Sequence, residues 1–455
     1  MTSGEPDAGA GFGDAAVGDG PAAAVPAGGL LEPPLEEEAA DVPAGEVQLH
    51  GGRADGVAAV LMSFVALQTV GVTVVAVCAP VLQERFGFSA AQIGLLTSAF
   101  ALAVGLTAIP MGLGTARWGG QVLFAAAALF LIGSLVFAAA DTYAWFLVGR
   151  FIQGLGAGAG MPVGTALVTR FVAPRARHRA FGLFGAGTGL GTTVSLLILP
   201  SVVVAGGYRW VFFVAALYGV VLAAAVLTVH VLRTRPRSAE PPASAGALAR
   251  AFAHAARSSG VWLCAVMNLT VVGVVVGVLT WTPQYLHDQF GASLAIAAFL
   301  TAGIGVSQAV GNPLGALAMK RWGMLVVLVG GLGLLGVVTA LVPVGPGVVA
   351  AYVAILAVVL LAGGVLPPSL AMVGDVARGH EAVGAATGLI GLLNLTGSML
   401  APWLFGVLLD TYGTGAGDSG YAMGWFMLAG FGAAGFAGGV AFVLLKRRGS
   451  LQHRV

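Results

Sequence analysis

Arg150 is the residue whose chemistry most demands an explanation. It lies inside the apolar run YAWFLVGRFIQGLGA, with Gln153 three residues further on. An arginine among apolar neighbours can offer its planar fork of donors to an anion, or it can bond to carbonyls of neighbouring helices. A spacing of three puts Gln153 on the same helix face. Four more long polar side chains, Gln68, Asn268, Gln308 and Asn394, fall near the middle of apolar runs. Each could contact a bound solute or bond one helix to another. For Gln308 and Asn394 the bond between helices is the favoured reading.

Hydrolytic or redox chemistry has no comparable set of residues. Of the seven histidines, His50, His178, His230, His254, His287, His380 and His453, none is central in an apolar run and none belongs to a HExxH arrangement. Cys78 and Cys264 both lie in apolar runs, which suggests neither a disulfide framework nor a thiolate metal site. No metal, cofactor or enzymatic activity is expected. Asp375 and Glu381 belong to a connecting loop and Asp410 to a helix end, so each reads as a solvated or capping group.

The composition says what must position these groups. Of 455 residues, 58% are apolar and 9% are charged, with 71 glycines, and the mean hydropathy is +0.94. A soluble domain carries about 25% charged residues, so this chain could not cover a soluble surface. A net charge of +2 leaves no basic footprint for nucleic acid. High hydrophobicity excludes disorder for the bulk of the chain. What remains is an all-α integral membrane protein, whose partner is a lipid bilayer.

A helix needs about 20 apolar residues to cross the hydrocarbon. Candidate spans lie near 57–80, 90–113, 121–140, 143–168, 180–203 and 210–232. Six more follow near 260–284, 294–318, 324–343, 347–371, 383–408 and 421–445. The domains expected are an acidic, disordered tail (1–55), a six-helix half (56–232), a polar linker (233–257), a second six-helix half (258–445) and a basic tail (446–455). Residues 1–55 hold eleven acids against the single base Arg53. Beyond them, 20 bases face 8 acids. Placing both termini inside puts 18 of the 21 bases on the inner side and only Arg85 and Arg209 outside, as the positive-inside rule requires of an even number of spans.

The two halves echo each other at one offset. Phe86, Gly87 and Ser89 recur as Phe290, Gly291 and Ser293; Thr97 as Thr301; Leu113 as Leu317; Arg117-Trp118-Gly119 as Arg321-Trp322-Gly323. Each pair is 204 positions apart. Two halves of the same orientation form a parallel repeat, with a site between them near mid-membrane. Glycine pairs four apart, such as Gly154/Gly158 and Gly156/Gly160, predict close helix packing. Pro367-Pro368 predicts a break in the tenth span. Trp281, Gln284 and Tyr285 close the seventh span, as gate residues or as interface anchors, the latter being the commoner role at that depth.

At this point the chain resembles the major facilitator superfamily of secondary transporters. Gly112-Leu113-Gly114-Thr115-Ala116-Arg117-Trp118-Gly119 is similar to that family's loop motif, with Gly112, Arg117 and Gly119 matching and Ala116 where the motif has aspartate. The copy in the second half has Lys320 there. In the family that acid helps to lock the halves together on the cytoplasmic side. Arg150-Phe151-Ile152-Gln153-Gly154-Leu155-Gly156-Ala157 resembles the fourth-span motif, and Pro402 to Asp410 resembles the usual end of the eleventh span.

The resemblance implies alternating-access transport of a small organic solute by a monomer in the plasma (inner) membrane, with protons as one possible coupling ion. The first, fourth, seventh and tenth spans would line the cavity. Arg150, Gln153, Gln68, Asn268, Gln308 and Asn394 are the candidate translocation residues, and an anionic or strongly hydrogen-bonding solute is favoured. A drug or metabolite efflux pump of the same fold and a transport-dead sensor are the alternatives. With both termini inside, a membrane-impermeant thiol reagent applied from outside should label cysteines placed in the Arg85 and Arg209 loops and miss those placed in 233–257. The reverse pattern would overturn the topology.

Overall fold

The computed structural model describes Leu49 and residues 51–172, 174–229, 245–376, 380–415 and 417–447. The acidic tail before Leu49, residues 230–244 of the linker, Arg378 and the end of the basic tail from Arg448 lie outside the described residues. Thirteen helices make up the described chain. They are α1 (Gly51–Phe86), α2 (Ala90–Trp118), α3 (Gln121–Ala139), α4 (Tyr143–Ala157), α5 (Gly160–Phe171), α6 (Pro174–Thr228), α7 (Ala245–Arg257), α8 (Ser259–Phe290), α9 (Leu294–Trp322), α10 (Met324–Leu341), α11 (Gly347–Val376), α12 (His380–Tyr412) and α13 (Gly420–Arg447). The one extended contact among the described residues is an isolated bridge between Leu49 and Val172.

Eleven helical runs are long and apolar enough to cross a bilayer, and one of them covers 43 residues, Ala186–Thr228. At about 1.5 Å per residue that run is twice the length one crossing needs. Gly207 breaks it with φ 75° and ψ −176°, a conformation open to glycine and costly for residues with a Cβ. The run is therefore the fifth and sixth spans, and twelve crossings result. The fourth span is α4 and α5 in line, interrupted at Gly158-Ala159. Helix α7 is the short helix that does not cross.

The repeat read from the sequence reappears in the geometry. Helices α1 and α8 end at Phe86 and Phe290, and α2 and α9 both have 29 residues. Gly87 and Gly291 turn the chain at φ 68° and 66°. Ser89 and Ser293 then cap the next helix, each side chain accepting from the backbone N–H three residues on. That bond supplies a partner to a helix-end donor that nothing else satisfies. Gly119 and Gly323 close both helices at positive φ. Each of these features sits at the same 204-residue offset.

Six of the eight tryptophans are exposed on the bundle and fall into two sets. Trp118, Trp262 and Trp322 mark the end where α1 begins and α13 finishes, here called the near end. Trp145, Trp210 and Trp403 mark the opposite, far end. Two girdles of amphipathic rings bounding an apolar band are what a bilayer selects. Within the bundle, glycines bring helices close. A Cβ at Gly154 would collide with the Phe100 carbonyl of α2, one at Gly156 with the Ala126 carbonyl of α3, and one at Gly160 with the Phe64 carbonyl of α1.

One expectation is corrected. Pro367-Pro368 does not break the tenth span, because α11 runs through both prolines. Each proline ring crowds the carbonyl four residues earlier. Those positions are Gly363 and Gly364, whose backbone can yield, and intramembrane helices tolerate proline when neighbours absorb the lost bond.

Candidate functional site

Helix α4 carries Arg150 and Gln153 on one face, and both are fully buried. The Nε of Arg150 donates to the Leu96 carbonyl of α2 at 3.2 Å. One terminal nitrogen donates to Gln153 Oε1, and the guanidinium carbon stands 4.3 Å from the centre of the Phe100 ring. Gln153 Nε2 continues the chain to Ser134 Oγ of α3 at 2.9 Å, and Ser134 donates to the Phe130 carbonyl at 2.8 Å. Phe100 can cover the cation because α1 and α4 come close beside it: a Cβ at Gly71 would collide with its ring and one at Gly154 with its carbonyl. Carbonyl, ring face and amide thus stand in for a counter-ion. The second terminal nitrogen, Nη2, is buried without a partner.

This placement differs from the expectation of an Arg150 open to a central cavity. In the structure its side chain is enclosed within the first half, between α2 and α4. Gln153 points toward α3, which the fourth-span spacing could not reveal. Asn268 of α8 is likewise committed inside its own half: Nδ2 donates to the Cys264 carbonyl at 3.0 Å, and Oδ1 accepts from Ser369 Oγ of α11 at 3.2 Å.

The other three expected residues are half-buried. Gln308 of α9 and Asn394 of α12 each bury a side-chain oxygen that has no partner. Sequence reasoning missed Asn312, one turn beyond Gln308 on the same face, whose Oδ1 is also buried and unpartnered. Gly363 of α11 lies opposite, where an added Cβ would stand 3.3 Å from Asn312 Oδ1. The four-residue spacing from Gln308 was the available signal. Gln68 sits on α1. Among the described hydrogen bonds, only Arg150 and Gln153 of these six join each other. In the loop motif, Gly112 and Arg117 belong to the last turns of α2, and the Arg117 side chain lies outside the described part. The N–H of Gly119 donates to the Thr115 carbonyl at 2.8 Å and closes the helix.

The halves meet along α2 with α12, α6 with α9 and α1 with α8. Polar bonds across this seam cluster toward the far end and the middle. Asp410 of α12 accepts from the N–H of Ala90 and of Ala91 at the start of α2, both at 2.8 Å. Gln284 Nε2 donates to Gln83 Oε1 at 2.8 Å, and Ser98 Oγ donates to the Met399 carbonyl at 2.5 Å. Thr193 Oγ1 reaches the Ala302 carbonyl at 3.3 Å. Gly94 and Gly406 bring α2 and α12 into backbone contact there, each leaving no room for a Cβ. Asp410 is therefore a capping group, as its helix-end position suggested, but it caps a helix 320 residues away. A carboxylate on two free N–H groups at a helix N-terminus gains both hydrogen bonds and the helix dipole.

Trp281, Gln284 and Tyr285 stand behind this clasp and are buried, so they are not lipid-facing anchors. The Trp281 ring stacks on Phe405 at 5.6 Å and donates to the Pro402 carbonyl at 3.0 Å.

The sequence model described as Major Facilitator Superfamily matches residues 59–402. The chain is 25% identical over 236 residues to "Probable L-galactonate transporter" of Escherichia coli, covering 49% of this chain and 51% of that protein. It is 28% identical over 256 residues to "Probable nitrate/nitrite antiporter NarK1" of Thermus thermophilus, covering 53% and 56%. The chain thus spans about half the length of these curated relatives. A bacterial homologue of the human lysosomal transporter Spinster, solved in an inward-facing, unoccupied conformation, shares the fold with a TM-score of 0.69 at 17% identity, covering 87% of this chain and 98% of that one.

Arg150→Met tests what the enclosed cation does for the fold. Replacing the buried charge with an apolar side chain of similar length removes its desolvation cost but leaves the Leu96 carbonyl and Gln153 Oε1 without that donor, so the two effects oppose each other. The variant should melt within about 3 °C of the wild type, roughly 3 kcal/mol at about 2 cal/mol/K of unfolding entropy per residue. A fall of about 10 °C or more would make the Leu96 and Gln153 bonds a structural bridge.

Proposed function

The chain belongs to the major facilitator superfamily, and from that premise we propose that it carries a small organic solute across the plasma membrane by alternating access, an anionic solute being favoured. The observation that carries this reading is the clasp. Two halves of repeated topology are held together toward one end by a few polar contacts and glycine seams, and such contacts can separate without unfolding either half. The partition of basic residues supports a cytoplasmic near end, which makes the clasped end the outer one. The clasped state is then the one open to the cytoplasm.

In this reading the two locks are unequal. The family's loop acid is replaced by Ala116, with Lys320 at the repeated position, while Asp410 secures the opposite end. The resting equilibrium favours the clasped state. Arg150 is enclosed in this clasped state, and its unpartnered Nη2 becomes the donor for a solute anion only when the helices around it part, while Gln308, Asn312 and Asn394 supply acceptors suited to hydroxyl groups. Gln68 lines the same path, while Gln153 and Asn268 act by position, holding Arg150 and Ser369. The galactonate and nitrate/nitrite relatives, both named for anions, support the preference for charge. The protein works as a monomer.

The test is uptake into proteoliposomes of galactonate, nitrate, glucose and a lipophilic cation, with and without a pH gradient. Saturable uptake of at least one anion, reduced at least tenfold by Arg150→Lys, is expected. Flux of the lipophilic cation alone would favour the efflux reading, and no flux at all would favour a transport-dead sensor.

Asp410→Asn tests the lock. The amide offers one acceptor where the carboxylate offered two, and it loses the charge that the helix dipole favours. A loss of about 1–2 kcal/mol should raise the population with the far end open by about tenfold. Spin labels at the exposed positions Glu84 and His287 would report it as a new long-distance component. An unchanged distance distribution would show that the clasp does not set the equilibrium.

A further inference from the structure

Helix α7 has no part in the proposed translocation path, yet its two faces differ sharply. Arg250, His254 and Arg257 occur at spacings of four and three, which places them on one side of the helix, and all three are exposed. The other side faces the bundle. Ala255 is buried, and the Phe252 ring packs against α12 at Gly388, where an added Cβ would come within 2.8 Å of it. A larger residue at 388 would push the helix away.

The depth of α7 is set by a second, independent contact. Trp262, in the first turn of α8, donates its indole N–H to the Ala256 carbonyl of α7 at 2.8 Å. Trp262 is itself exposed and belongs to the near-end girdle with Trp118 and Trp322. Such tryptophans lie at headgroup level. The last turn of α7 is therefore fastened at the level of the lipid headgroups, and Ser258 caps the start of α8 directly after it. Lys446 and Arg447 finish α13 at the same end of the bundle.

We propose that α7 is an interfacial helix whose Arg250–His254–Arg257 face binds the anionic phospholipid headgroups of the bilayer, while its Phe252 face holds the near end of α12. Two features select lipid as the occupant: the bond to Trp262, which fixes the depth, and the positive charge of the face, which suits phosphate diesters. Basic side chains at a membrane surface gain from anionic lipid, and salt weakens that gain.

The test uses the full-length protein in nanodiscs of phosphatidylcholine alone or with 30 mol% phosphatidylglycerol, reading amide hydrogen exchange over residues 245–257. Phosphatidylglycerol should slow exchange there by about tenfold, and 0.5 M NaCl should reverse most of that slowing. The double variant Arg250→Gln, Arg257→Gln should exchange equally fast in both lipids. Phe252→Ala should speed exchange in both. If wild-type exchange agrees within twofold between the two lipids, the face is solvated, and if the slowing survives high salt, it does not arise from the basic face; either result overturns the proposal. The wild-type salt series decides the matter even if the double variant does not insert.

Discussion

Hydrocarbon cannot hydrate a peptide group, and the rest of this structure follows from that constraint. Each backbone N–H and C=O in the apolar band must find its partner within the protein. The described chain meets the demand with helices alone, and the few departures are covered locally. Ser89 and Ser293 cap the starts of α2 and α9. Gly87, Gly291 and Gly207 turn the chain at the far end. Glycines stand where the two prolines of α11 crowd its backbone. The same constraint explains why Arg150 could be absorbed without an acid: a carbonyl, an amide oxygen and a ring face were the groups at hand, and α1, α2 and α4 approach closely enough to supply them.

Close approach is the second theme. Without a hydrophobic force between helices in lipid, association depends on packing and on hydrogen bonds. Within each half, Gly154, Gly156 and Gly160 bring the fourth span onto three neighbours at once. Between the halves, Gly94 and Gly406 do the same for α2 and α12, and there the contact is dressed with polar bonds that can be exchanged. Packing inside a half and along the α2–α12 seam is close in both cases, and the seam adds the polar bonds of Asp410, Gln284 and Ser98 to its glycine contacts. In the proposed reading those exchangeable bonds let the two halves part along this boundary.

The two ends of the seam are unequal although the repeat relates the two halves. By the repeat, Asp410 corresponds to Gly206 and Ala90 to Leu294, so the acid that caps α2 has no counterpart at the start of α9. In the proposed reading, that one contact biases a pseudo-symmetric seam, and Ala116 and Lys320 do not supply the acid with which the family motif would oppose it.

Much of this was legible in the chain itself. The number of crossings follows from runs of about 20 apolar residues, because one bilayer thickness sets one helix length. The turns at Gly87 and Gly291 and the caps at Ser89 and Ser293 follow from local backbone chemistry, and the repeat at 204 made them visible twice. The continuity of α11 was misjudged, since proline signals a break in water and a tolerable strain inside a packed membrane bundle. What the sequence could not supply was direction. Arg150 and Gln153 share a face by spacing, yet only the packed helices show that the face meets Phe100 and Ser134 and is closed to solvent. Asp410 reads as a cap, yet its partner lies 320 residues away. Spacing along a helix determines which residues point together, and the arrangement of the other helices determines what they point at.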